Sequence, residues 1–188
     1  MASTVTSGSL VLERRFERVH KYHWPAVQLN VWMLIMLVAS CTILGIFATF
    51  VQIQQQLQLN IPWYFPYYMT VSAVAIFFIG ILLWLIFQRR LLPSIVMIGG
   101  FMLFVLWLVG LIVVSIQLWG PSGSVSGNCN IAVFNQNPKG QTLETLAWME
   151  QKNICQSWQA VFAMGLVGAI FLLWLMVMAY QVFADEGD

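Results

Sequence analysis

The chain has 188 residues, of which 60% are apolar and 8% charged, against roughly 25% charged residues in an ordinary soluble domain. That balance excludes a water-soluble globular protein. A net charge of +1 also excludes electrostatic recruitment of the whole molecule to nucleic acid.

The apolar residues are gathered into blocks. A helix crossing a hydrocarbon core about 30 Å thick needs about 20 apolar residues at 1.5 Å rise per residue. Four stretches meet this, at about 31–51, 69–87, 91–118 and 160–183, and none holds Asp, Glu, Lys, Arg or His. Backbone polar groups cannot be left bare to lipid, so each stretch is expected to be helical. The predicted fold is an all-α membrane protein, a four-helix transmembrane bundle over residues 31–183. Residues 1–30 form a cytoplasmic segment, 184–188 a cytoplasmic tail, and 52–68 and 119–159 the outer loops. The first stretch is too long, and lies too far from the N-terminus, for a cleaved signal peptide.

Orientation follows the basic residues. Arg14, Arg15, Arg18 and Lys21 precede the first span, and Arg89 and Arg90 lie between the second and third. Six of eight basic residues therefore mark one side as cytoplasmic, and an even number of crossings places both termini there. Leu12, Phe16, Val19 and His23 recur near helical spacing among these basic residues, as in an amphipathic helix lying on the inner leaflet. On this reading Arg14, Arg15, Arg18 and Lys21 contact the membrane surface.

The first outer loop is uncharged and carries Trp63, Tyr64 and Tyr67, rings suited to the headgroup layer and read as surface anchors. Two of the three cysteines, Cys129 and Cys155, fall in the second outer loop. An oxidising exterior makes them the expected disulfide. Two separate thiols are the alternative, and zinc lacks a histidine in that loop. After a Gly/Pro/Ser-rich exit and an irregular or strand-like 128–134 segment, Thr142 is a plausible N-cap. Leu143, Leu146, Ala147, Ile154 and Trp158 then recur at helical spacing with no breaker before the fourth span. A helix projecting from the membrane, tied by the disulfide into a small extracellular cap, is expected.

Small residues let membrane helices approach closely. Cys41, Gly45 and Ala48, with Thr49, form one such face on the first span, Gly99, Gly100 and Gly110 serve the third, and Gly165 and Ala169 the fourth. They are read as packing faces of the bundle, or alternatively as a seam for an oligomer or partner. No ionisable residue enters a span, and both histidines lie ahead of the first. Such a pattern favours neither channel, carrier nor self-sufficient enzyme. No cofactor is expected beyond structural lipid or sterol.

The layout resembles the MARVEL-domain proteins: four spans, a very short inner turn and a larger second outer loop with two cysteines. The stretches Gly127-Asn128-Cys129-Asn130, Gln141-Thr142-Leu143-Glu144-Thr145-Leu146-Ala147-Trp148 and Asn153-Ile154-Cys155-Gln156-Ser157-Trp158 are similar to that loop in fungal members. The Met178-Ala179-Tyr180-Gln181-Val182 exit is also similar. The resemblance implies a non-catalytic role in organising plasma-membrane microdomains or membrane traffic, through membrane lipids and through itself or another integral membrane protein. From another class, an accessory subunit of a larger membrane enzyme, pump or transporter fits the same features.

Overall fold

The computed structural model describes residues 26–88, 93–121, 124–135, 138, 140 and 143–184. Arg14, Arg15, Arg18 and Lys21, the inner turn with Arg89 and Arg90, Thr142 and the 185–188 tail lie outside the described residues.

Every regular element among the described residues is helical. They are α1 (Ala26–Gln56), α2 (Tyr64–Phe87), α3 (Pro93–Trp119), α4 (Val125–Cys129) and α5 (Leu143–Ala184), with one π-helical turn, Asn130–Phe134, continuing α4. Four of them, α1, α2, α3 and α5, are long and apolar enough to cross a membrane.

The helix ends follow local chemistry. α3 opens on Pro93 and α2 carries Pro66 in its first turn, positions where the missing N–H would have had no partner. α1 closes in a Schellman motif, with Gln58 N–H donating to Gln55 and Leu59 N–H to Gln54. Gln58 adopts φ 54°, the left-handed conformation that glycine usually supplies at this position.

Around the bundle the order is α1, α2, α3, α5, with α5 closing against α1. The inward residues recur at alternating three- and four-residue steps. On α1 they include Trp32, Met36, Ile43, Phe47 and Phe50, and on α5 Trp158, Val161, Gly165, Leu172 and Leu175. This average of 3.5 is the pattern of knobs-into-holes packing between nearly aligned helices. Among the described residues the buried polar side chains are Ser40 and Ser72, and Ser72 Oγ donates to the Tyr68 carbonyl.

Two expectations are corrected here. The 128–134 segment is helical, because Ser124 Oγ accepts from Gly127 N–H at 3.1 Å and starts a turn that the chain continues. Of the helically spaced set on the projecting part of α5, Leu143, Leu146 and Ala147 are turned outward, while Ile154 and Trp158 pack on the core. Leu143 is 87% and Leu146 64% exposed, Ala147 is exposed and Ile154 half-buried, and of that set only Trp158 is buried. Trp148 and Cys155 join Trp158 in packing this part of α5, since the disulfide fixes which side meets α4.

Candidate functional site: the inward seam and the outward faces

The disulfide joins Cys129 to Cys155 across a Cα–Cα distance of 5.9 Å, inside the usual bridging range. Val133 is buried beside it, with Val125 and Trp148 packed against the pair. Trp148 Nε1 donates to the Val133 carbonyl at 2.9 Å, and Lys152 Nζ lies 4.9 Å from the Trp148 ring centre. The end of α4 is thus held from α5 by a covalent bond and the π-helical turn after it by a hydrogen bond.

Below this cap, glycine carbons serve as seats for aromatic rings. At Gly110 a Cβ would stand 2.8 Å from the Tyr68 ring, at Gly165 it would meet Leu111 and the Tyr68 hydroxyl at 2.9 Å, and at Gly168 the Trp107 ring at 2.5 Å. Gly99 faces the Phe78 ring in the same way, and Gly100 faces Leu175 at ordinary contact distance. Ala169 is buried. The small residues of α3 and α5 therefore lie where their helices meet aromatic or branched side chains of a neighbour.

Aromatic donors complete this seam. Trp107 Nε1 donates to the Gly165 carbonyl at 2.9 Å, Trp32 Nε1 to Phe171 at 2.7 Å, and the Tyr67 hydroxyl to Leu106 at 3.0 Å. Helix carbonyls have a second lone pair, so these bonds add to the helix ladder without breaking it. At the disulfide end Phe47, Phe50, Tyr64, Phe65 and Trp158 form a ring cluster joining α1, α2 and α5. The Tyr68 hydroxyl is buried and has no hydrogen-bond partner among the described residues.

The small face of α1 is placed differently. Cys41, Gly45, Ala48 and Thr49 are all exposed, and nothing stands within 4 Å of a Cβ at Gly45. As an internal packing face this expectation is corrected: α1 turns Trp32, Ile43 and Phe47 inward instead, because an indole N–H needs an acceptor and large rings fill the central space. The hydroxyls of Thr42 and Thr49 bond to carbonyls of their own helix, so this face offers steric access and no unmet hydrogen bonds.

Of the expected surface anchors, Trp63 is 65% exposed, while Tyr64 and Tyr67 are half-buried and partly committed to the bundle. Sequence reasoning missed Tyr68, Trp32, Trp107 and Gly168. The signal was available for Trp107, which lies well inside its span, where an N–H cannot face lipid unpaired. Among the described residues no three His, Cys, Asp or Glu side chains converge. Compared with known protein families, with curated proteins and with solved structures, the chain matches none.

Proposed function

We propose that this chain is a non-catalytic, MARVEL-like integral membrane protein that organises plasma-membrane microdomains or membrane traffic by lateral contact, with both termini cytoplasmic. The observation that carries the reading is the direction of the α1 small face. Cys41, Gly45 and Ala48 point away from their own bundle, so they are available to let a second helix approach closely. Structural lipid or sterol against the outward faces belongs to the same reading.

The test is purification from native membranes in a mild, lipid-preserving detergent, followed by mass determination. A homo-oligomer with bound lipid that Gly45→Leu disperses supports lateral self-contact. A protein that stays monomeric and alone in mild detergent would sink it.

One observation favours the second reading, an accessory subunit of a larger membrane enzyme, pump or transporter. Leu143 and Leu146 are exposed on the part of α5 beyond the ring cluster, where apolar side chains suit a protein partner. That reading predicts a fixed-ratio complex with one large partner in the same preparation.

A further inference from the structure

Between Ala26 and Gln88 the sequence holds no charged residue, so neither α1, α2 nor the loop joining them is compelled to face bulk water. Heights along this unit can be read from two tryptophans, Trp63 at the N-cap of α2 and Trp84 near its other end. Trp63 is 65% and Trp84 64% exposed, and the 21 positions between them rise about 31 Å. That matches a hydrocarbon core of about 30 Å, with an indole at each boundary.

Ring contacts carry the same height to the neighbouring helices. Phe50 lies 5.8 Å from Phe65 and stacks on Trp158 at 5.7 Å. Two residues further toward the disulfide end stand Gln52 on α1, Trp63 at the N-cap of α2 and Gln156 on α5, all exposed. Twenty-one positions along α5 from Gln156 is Val177, between the exposed Trp174 and Tyr180. The boundary read from α2 therefore holds for α5 at both ends.

The α1–α2 loop sits just outside that boundary. Leu59 N–H bonds to the Gln54 carbonyl at 3.0 Å, which ties the loop to the last turn of α1, about 6 Å above Gln52. The headgroup layer on each side is of that depth. Within it Leu57 is 63%, Leu59 59% and Ile61 40% exposed, alternating with Gln58, Asn60 and Pro62.

We propose that Leu57, Leu59 and Ile61 insert into the headgroup–acyl boundary of the leaflet at the disulfide end, making this loop a lipid-binding segment of the chain's own membrane. The neutral amides of Gln58 and Asn60 then face headgroup acceptors and donors while the alternate side chains reach acyl chains. Height separates this loop from the cap: Leu146, ten positions beyond Gln156, stands about 15 Å above the boundary, outside lipid reach. The proposal needs only that the bundle spans a bilayer and does not depend on lateral contact through α1.

The experiment places a nitroxide on Leu59→Cys in a Cys41→Ser background, with the native disulfide intact and the protein in phosphatidylcholine vesicles. Relaxation by oxygen, which concentrates in acyl chains, is compared with relaxation by a water-soluble nickel complex. Leu146→Cys in the same background supplies the water-exposed standard. The expected result is an oxygen-to-nickel ratio at Leu59 at least threefold above that at Leu146. A ratio equal to or below the Leu146 value overturns the proposal and makes the loop a surface for a water-borne partner. Both positions are exposed, so neither label has to displace the core.

Discussion

Trp107 and Gly165 meet twice over in function though once in space: the indole N–H of one bonds the carbonyl of the other at 2.9 Å, and the bond draws the ring across the neighbouring Gly168. The α3–α5 contact is therefore a large ring laid into a notch without side chains. Gly168→Ala places a methyl group 2.5 Å from that ring and is expected to destabilise the bundle by about 2 kcal/mol. Denaturant titration in mixed micelles measures this. Trp107→Phe, which removes the N–H and part of the ring lying on Gly168, should cost about 2 to 3 kcal/mol.

At Gly45 the same chemistry gives the opposite outcome. No atom lies within 4 Å of a Cβ there, so Gly45→Leu should leave the unfolding midpoint unchanged while reducing self-association severalfold. Energy transfer between labelled copies in vesicles reads the second quantity. Unchanged transfer in a folded variant would remove α1 from any lateral interface.

Tyr68 combines a ring that the fold needs with a hydroxyl that has no partner among the described residues. Removing a buried, unpaired hydroxyl relieves its desolvation, so Tyr68→Phe is expected to stabilise the bundle by about 1 kcal/mol. Tyr68→Ala should cost about 3 to 5 kcal/mol, because the ring fills the space between Gly110 and Gly165. A large loss in the Phe variant would show that the hydroxyl is bonded.

Gln58 holds a left-handed backbone angle at the end of α1. Gln58→Gly relieves about 1 kcal/mol of strain and should raise thermal stability, whereas Gln58→Val should lower it. Melting curves of the two variants, compared with the parent, decide the point.

The cap depends on one covalent link. Closing the Cys129–Cys155 loop, with a sequence separation of 26, contributes about 3.5 kcal/mol on the chain-entropy model. Cys155→Ser should therefore free the π-helical turn and expose Lys152 to trypsin. Cleavage there should rise severalfold while the spanning helices keep their far-ultraviolet signal.

The four spans, the single unbroken α5 and the disulfide were legible because each rests on a strong local rule: charge-free length, the absence of a breaker, and two cysteines outside the spans. The direction in which α1 faces was not. Lipid is as apolar as the bundle core, so hydropathy gives no preference between the Trp32–Ile43–Phe47 face and the Cys41–Gly45–Ala48 face. Only the hydrogen-bonding need of Trp32, met by Phe171, separates them. Residues 128–134 were obscured by Gly127, Asn128 and Asn130, weak helix formers whose turn is held by Ser124, Cys155 and Trp148. The exposure of Leu143 and Leu146 was equally hidden, since periodicity marks a stripe without saying what lies opposite it.

The continuity of α5 has a mechanical consequence. Forty-two residues from Leu143 to Ala184 form one helix about 63 Å long, pinned midway to α3 at Gly165 and to α1 at Phe171. The Leu143 end of α5 is thus one arm of a rod whose fulcrum lies inside the bundle, an arm tied to α4 through Cys155. Any partner that pulls on Leu143 works a lever whose other arm ends near Tyr180, so a tilt imposed at one surface must reach the opposite surface.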